Sequence, residues 1–314
     1  MSFLYFLEGL RHPIADAFFS VITYLGDEIC FMALALLMFW CISKRRGYFV
    51  FAVGIFGIAV NQFLKLLFRI PRPWVMDPNF TIVESARSAA AGYSFPSGHT
   101  QNIVGTMGAI GITSRYRWVR VVCIILVILV PFSRMYLGVH TPLDVGVSFL
   151  VAAALVVGLY FLFRDEVSFR STVPYVLALL VLVTGLYVAF VLLYRFPADV
   201  DQENLTAGLK NAYTMIGCAA GLVISYIYDR KVLNFDTRAP FLGQVLKLIL
   251  GMAIIVGLRM VLKQPLLALF HGSLVSNAVR YFVMVIFAGC IWPHTFPLFA
   301  KVGARKEEKF IEKT

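Results

Sequence analysis

The chain has 314 residues, of which 60% are hydrophobic and 14% are charged. A soluble globular domain has about 45–50% apolar and about 25% charged residues, so this composition excludes an ordinary soluble protein. The formal net charge is +11, but the basic residues lie in short clusters between apolar runs. That arrangement orients membrane helices and does not indicate nucleic-acid binding. We therefore expect a multi-pass integral membrane protein.

The first 25 residues predict a segment that lies at the membrane interface. The stretch is amphipathic and Pro13 interrupts it, and amphipathic helices of this kind lie in the plane of the headgroups. These residues lack a basic leader, a continuous apolar core and a small-residue cleavage site, so we expect no cleavable signal peptide.

Nine apolar runs follow, each close to the length of a membrane span. A spanning helix needs about 20 mostly apolar residues. By that criterion the fourth run is short, and the eighth contains Lys247 and Arg259. The predicted fold class is all-α, a polytopic helical bundle with about nine transmembrane helices. The runs are 27–43, 47–68, 97–114, 119–133, 142–163, 173–194, 209–228, 241–262 and 275–298.

The basic clusters predict which side of the membrane each loop occupies. If nine spans alternate, all the clusters fall on one side, and such an excess of lysine and arginine is typical of the cytoplasmic side. The loops 69–96 and 134–141 then face away from the cytoplasm, and the C-terminus is cytoplasmic. We expect the plasma membrane as the location. The clusters lie within 44–46, 115–120, 164–170, 229–238 and 301–309.

The first group of out-of-place polar residues is KLLFRIPRP, residues 65–73. Lys65 and Arg72 are seven residues apart, which would place them on one helical face about 10 Å apart. Prolines 71 and 73 end the helix and turn the chain. Two converging cations suit a dianionic group. Taken alone, the group also fits basic side chains that extend to the membrane interface.

The second group is FPSGHT, residues 95–100, which opens the third run. Ser97 is a candidate N-cap, and the free N–H groups of a helix start bind anions. Gly98 permits close approach of a ligand, and His99 lies in the first turn. The alternative is an ordinary capped helix with an interfacial histidine.

The third group is SRMYLGVHTPLD, residues 133–144. Arg134 ends the fourth run, and His140 precedes Thr141 and Pro142, a typical N-cap and first helical residue. Asp144 lies within reach of the His140 ring. A carboxylate that holds one imidazole nitrogen leaves the other free as a nucleophile or base. The alternative is a capping aspartate beside an unrelated histidine.

All three groups lie at the ends of consecutive runs on the same predicted side of the membrane. Ionisable residues at such positions indicate a functional site. Together they supply three cations, a helix start, two histidines and one carboxylate, which matches phosphoryl transfer. No acidic cluster suggests a magnesium site, so we expect no metal and no other cofactor.

The motifs resemble those of the type 2 phosphatidic acid phosphatase superfamily, whose pattern is K-x6-R-P, P-S-G-H and S-R-x5-H-x3-D. The chain matches every position, and the resemblance covers roughly residues 20–165. It implies a six-helix phosphatase core within residues 1–168 and additional transmembrane helices of unknown role in residues 169–314.

The resemblance also implies the role of each site residue. His140 is the nucleophile that forms a phosphohistidine, Asp144 orients it, and His99 is the general acid. The remaining motif residues hold the phosphate oxygens of a lipid phosphate or pyrophosphate. These are Lys65, Arg72, Ser97, Gly98 and Arg134.

Three other functions stay open at this point. One is a phosphatase for sugar phosphates, as in the glucose-6-phosphatase branch, and another is a lipid phosphotransferase. The third is a transporter in which the motifs are relics and the later helices form the path. Its candidate polar residues are Lys210, Asn211, Lys247, Arg259 and His271.

Overall fold

The computed structural model describes residues 1–88, 90 and 92–303. Over these residues the chain is helical and contains no β-strand, which confirms the all-α prediction. Short 3-10 and π-helical turns connect or extend several helices. The helices are α1 Ser2–Gly9, α2 Pro13–Thr23, α3 Glu28–Leu37, α4 Lys44–Phe68, α5 Pro73–Met76, α6 Gly98–Thr113, α7 Arg117–Tyr136, α8 Pro142–Phe163, α9 Glu166–Leu193, α10 Gln202–Tyr228, α11 Phe241–Val261, α12 Lys263–Leu269, α13 Val275–Ile286 and α14 Phe296–Ala300.

Seven helical segments in the described part of the chain are long and apolar enough to cross a membrane. They begin at α4, α7, α8, α9, α10, α11 and α13. An eighth is added if α2 and α3, which are bent by 53° at their junction, count as one broken span. The remaining predicted run forms α6, whose 16 residues give a helix about 24 Å long against about 30 Å of hydrocarbon. The count of about nine stays a prediction.

The N-terminal segment forms two helices, and Pro13 is the first residue of the second. Both helices pack against α7. The hydroxyl of Tyr136 donates to a carboxylate oxygen of Asp16 at 2.8 Å, which ties α2 to the end of α7. The break at Pro13 is therefore as the sequence indicates, while the interfacial location of this segment stays a prediction.

Helix α4 is the centre of the bundle. Its side chains are buried on every face because α6, α8, α9 and α10 surround it. Helix α6 fits closely between α4 and α8 because two of its contact positions are glycines. A Cβ at Gly105 would lie 3.1 Å from Val53, and one at Gly108 would lie 3.1 Å from Val156. This close packing fixes the relative positions of the polar residues at the helix ends.

The helices before and after residue 169 share one hydrophobic core. In that core, Trp40 donates from Nε1 to the carbonyl of Ala288 at 2.9 Å. At the end of the bundle with the basic clusters, Lys44 Nζ lies 2.8 Å from a carboxylate oxygen of Asp229. The two parts of the chain therefore pack as one body, and their division into a phosphatase core and additional helices stays a prediction about function.

Candidate active site

A polar pocket with a volume of about 370 Å³ lies at the end of the bundle where α4 ends and α6 and α8 begin. Residues from all three sequence groups line it, so the structure brings these distant segments together. The predicted residues that line it are Lys65, Arg72, Gly98, His99, Arg134 and His140. It is also lined by Gly26, Asp27, Glu28, Ile29, Gln62, Ser88, Asn102 and Arg259.

Two cations reach the pocket from the end of α4. Arg69 adopts a left-handed conformation with a φ of 50° directly after the helix, and the chain turns so that Lys65 and Arg72 line the same pocket. Lys65 Nζ donates to the carbonyl of Tyr93 at 2.5 Å, and Arg72 Nε donates to the carbonyl of Gly92 at 2.9 Å. Both cations are buried. The two carbonyls accept their hydrogen bonds and so keep the charged groups beside the pocket.

The start of α6 presents its backbone to the pocket. Ser97 caps the helix, because its Oγ accepts from the backbone N–H of Thr100 at 3.4 Å and from Thr100 Oγ1 at 3.0 Å. This confirms the predicted cap, although Ser97 itself is fully buried and does not line the pocket. Gly98 does line it, and a Cβ there would meet no atom nearer than Asn61 Oδ1 at 3.9 Å. The start of α6 is therefore open beside Gly98, and the first N–H groups of a helix stabilise an anion.

Arg134 lies in the last turn of α7 and is fully buried. Its Nη1 donates to Thr23 Oγ1 at 2.8 Å. Its Nε and Nη2 have no hydrogen-bond partner within the described residues. A buried charged group with unpaired donors is costly, and the guanidinium fork matches the oxygens of a phosphate. The two free nitrogens therefore indicate an anion as their partner.

The His140 ring lies between Arg72 and Asp144. Its Nε2 is 3.0 Å from Arg72 Nη1, and its Nδ1 is 3.5 Å from Asp144 Oδ2. Because a guanidinium only donates, Nε2 accepts and the ring proton is on Nδ1, toward the carboxylate. Asp144 Oδ2 also accepts from Ser94 Oγ at 2.6 Å and from the backbone N–H of Thr141 at 2.7 Å. The carboxylate is thus fixed in the capping box that opens α8.

His140 lies in the short connection between α7 and α8 and is 1% exposed. Burial, and then the positive charges of Arg72 and Arg134, hold its pKa well below the ordinary value of 6.5. The imidazole is therefore neutral at neutral pH. A neutral ring with its proton on Nδ1 carries an unprotonated electron pair on Nε2, the pair that a nucleophile uses. In this structure Arg72 donates to that pair.

Asp27 is a site residue that the sequence reasoning missed. Its Oδ1 lies 2.8 Å from Nε2 of His99. Asp27 immediately precedes α3, and that end of α3 is tied to α6 because Asn102 Nδ2 donates to the carbonyl of Gly26 at 3.1 Å. Asp27 and Glu28 are adjacent acids at the start of an apolar run, the same signal that marked the other groups. Applied to acids as well as to bases and histidines, that criterion would have selected them.

Comparisons with known proteins identify the family of the chain. The family model of the PAP2 superfamily matches residues 45–168. A second family model, described as the transmembrane extension of PAP2 superfamily phosphatases, matches residues 213–305. The chain is 32% identical to the undecaprenyl-diphosphatase BcrC of Bacillus subtilis, over 51% of this chain and 81% of that protein. The chain belongs to the PAP2 superfamily. The resemblance predicted from the three motifs is confirmed, and this PAP2 protein is a membrane phosphatase.

Two further relatives match the chain with lower identity. The lipid A 4'-phosphatase of Porphyromonas gingivalis is 28% identical over 52% of this chain and 72% of its own length. A probable sphingosine-1-phosphate phosphatase of Dictyostelium discoideum is 26% identical over 46% of this chain and 38% of its own length. No solved structure matches the chain with significance.

The transmembrane extension of this PAP2 protein also contributes to the pocket. Arg259, near the end of α11, lines it together with the PAP2 residues. From the sequence, Arg259 is expected only as a candidate residue of a transport path, because nothing local shows that α11 ends beside α3. Among the described residues, no group of three or more His, Cys, Asp or Glu side chains could hold a metal ion.

Proposed function

We propose that this protein hydrolyses a lipid phosphate or pyrophosphate at the extracytoplasmic surface of the plasma membrane. The reaction needs no metal ion and passes through a phosphohistidine on His140. The observation that supports this proposal best is the convergence of Lys65, Arg72 and Arg134 with His99 and His140 in one pocket. The relatives support lipid substrates, because their names specify undecaprenyl diphosphate, lipid A and sphingosine 1-phosphate.

The phosphate group binds among the three cations and the start of α6. Arg134 donates from Nε and Nη2, which have no partner within the described residues. The Gly98 N–H contributes from the helix start, and Ser97 holds that start in place through its cap on Thr100. These donors are in position before the reaction and stabilise the charge that builds on the equatorial oxygens in the transition state.

His140 is the nucleophile. Its Nε2 attacks phosphorus, forming an N–P bond while the bond from phosphorus to the leaving oxygen breaks. The positive charge that develops on the ring is stabilised by Asp144, whose Oδ2 lies 3.5 Å from Nδ1. Arg72 Nη1 lies 3.0 Å from Nε2 and donates to it before the reaction. As the N–P bond forms, this N–H donates to a phosphate oxygen instead.

His99 supplies the proton that the leaving oxygen takes up. Asp27 is a positioning residue, since its carboxylate lies 2.8 Å from Nε2 and orients the ring. After the leaving group departs, the neutral His99 removes a proton from the attacking water. The water oxygen bonds to phosphorus and the N–P bond breaks, which releases phosphate and restores both histidines.

The orientation follows from the basic clusters. Residues 44–46 and 164–170 lie at the helix ends opposite those that carry Lys65, Arg134 and His140. If those clusters are cytoplasmic, the pocket faces the outer leaflet and the C-terminus is cytoplasmic.

A panel assay tests the proposed function. Phosphate release is measured with polyprenyl pyrophosphate, phosphatidic acid, phosphatidylglycerol phosphate, a sphingoid-base phosphate and glucose 6-phosphate. The wild type is compared with His140→Asn, His99→Asn and the control His271→Asn, which changes an exposed histidine outside the pocket. We expect lipid phosphate to be released by the wild type and the control only. Equal rates in all four proteins, or turnover of the sugar phosphate above that of every lipid, would contradict the proposal.

A further inference from the structure

A narrow apolar cavity lies in the interior of the bundle next to the phosphate pocket. Its volume is about 120 Å³, and residues of α3, α4, α10, α11 and α13 line it. Glu28 lines both this cavity and the phosphate pocket, so the two spaces meet at the start of α3. The cavity is outside all three sequence groups, and the phosphatase chemistry does not account for it.

One face of α4 runs continuously from the cavity into the phosphate pocket. Its residues recur at spacings of four and three, which places them on one side of a helix. The apolar members line the cavity and the polar members line the pocket. In chain order they are Phe51, Ile55, Ile58, Gln62 and Lys65.

Helices α3 and α11 show the same change of polarity at the same level. On α11, Ile255 lines the cavity and Arg259, one turn further on, lines the phosphate pocket. On α3, Glu28 is followed by lining residues that reach Leu36, a distance of about 12 Å along the helix axis. Three helices therefore border a polar space and an apolar space that adjoin at Glu28.

We propose that this cavity binds one hydrocarbon chain of the substrate while the phosphate occupies the polar pocket. The proposal rests on the proposed function, because it takes the phosphate position from it. A phosphate joined to an alkyl chain is the class of ligand that needs cations at one end of a site and apolar side chains at the other. The cavity is apolar and small, with a volume of about 120 Å³, so it accepts a single chain.

The transmembrane extension closes the far side of the cavity. Cys218 and Leu222 of α10 and Met284 of α13 face the residues of α3 and α4 across it. The PAP2 region thus supplies the phosphate chemistry, and residues 169–314 supply most of the chain site. This gives the C-terminal helices a role in the choice of substrate, and it makes a substitution in them a means to change chain preference without touching the catalytic residues.

The test is a substitution that fills the cavity. Cys218→Phe places a ring in it, and the matched control Cys30→Phe adds the same ring to a half-buried position of α3 that does not line it. The substrates are single-chain alkyl phosphates from butyl to hexadecyl phosphate. For the wild type and the control, we expect kcat/KM to rise with chain length. For Cys218→Phe we expect about a tenfold or larger loss with the longest chains, and less than a twofold change with butyl phosphate.

A second measurement uses the unmodified protein. A dodecyl phosphonate with a photoreactive diazirine at the chain end is bound and irradiated, and the labelled peptides are identified. Label on α10 or α13 near Cys218 or Met284 supports the chain site. Label only on side chains that face the surrounding lipid overturns it, as does an equal loss with all chain lengths in Cys218→Phe. If the wild type releases phosphate from no substrate, the proposed function itself fails.

Discussion

Replacing Gly98 by alanine is expected to change the activity of the site without changing the stability of the fold. The Gly98 backbone has no positive φ, and a Cβ there would meet no atom nearer than 3.9 Å. The side chain is therefore accommodated, and exchanging glycine for alanine in a helix changes stability by about 1 kcal/mol or less, in the favourable direction. The same Cβ would project into the space where the phosphate oxygens must approach the first N–H groups of α6.

We expect the alanine variant to unfold at the wild-type temperature but to lose activity. Losing one backbone donor to a developing oxyanion lowers kcat about 100-fold to 1,000-fold, which corresponds to about 2.7–4 kcal/mol of transition-state stabilisation. The assay is phosphate release from the best lipid of the panel, together with thermal unfolding in detergent. Gly185→Ala is the matched control, because a Cβ there meets nothing within 4 Å and α9 is away from the pocket.

Two results would refute the reasoning about the start of α6. Wild-type kcat/KM in Gly98→Ala would mean that the phosphate does not approach this backbone. A large fall in unfolding temperature would mean that the space above Gly98 is filled in the folded protein.

Three further predictions concern the other polar residues of the site. Asp27→Asn is expected to lower kcat about tenfold or more for an alkyl phosphate but much less for p-nitrophenyl phosphate, whose leaving group needs no proton; an equal loss with both would exclude a role through His99. Arg134→Lys keeps the charge but loses the guanidinium fork, so the inhibition constant of inorganic phosphate is expected to rise about tenfold; an unchanged constant would show that Arg134 does not bind phosphate. The pKa of His140 is held below 6.5 by burial and by Arg72, so the neutral nucleophile persists as the pH falls to that value. The acid limb of kcat/KM that belongs to His140 is therefore expected below pH 6.5, and a limb above it would contradict the environment described.

The parts of the site that could be predicted from the sequence are those encoded locally. The caps at Ser97 and Thr141 follow from residue types at fixed offsets, and the structure has both. The pairing of His140 with Asp144 follows from a four-residue spacing at a helix start. The three groups could be expected to meet because alternating spans bring their ends to one side of the membrane.

The contacts that could not be predicted join segments far apart in the chain. Asp27 pairs with His99, Thr23 holds Arg134, and the carbonyl of Tyr93 holds Lys65. Each depends on how helices pack, which periodicity does not specify.

The boundaries of the runs were also only approximate. Helix α7 runs from Arg117 to Tyr136, longer than the predicted run 119–133 at both ends, and Pro131 lies inside it. Arg134 consequently lies within the last turn of the helix. Arg259 lines the pocket because α11 packs beside α3. The eighth predicted run, 241–262, therefore contributes a charged residue to the pocket.

The most direct test of the proposed mechanism is to trap the phosphorylated enzyme. His99→Asn is mixed with p-nitrophenyl phosphate, which can transfer its phosphoryl group without a general acid but then requires a base for hydrolysis. The reaction is stopped in alkali, where phosphohistidine is stable, and the labelled residue is identified by mass spectrometry. We expect a phosphate group on His140 that is lost in acid and is absent from a His140→Asn, His99→Asn double variant. Release of p-nitrophenol without any label on His140, or label on another residue, would contradict the mechanism.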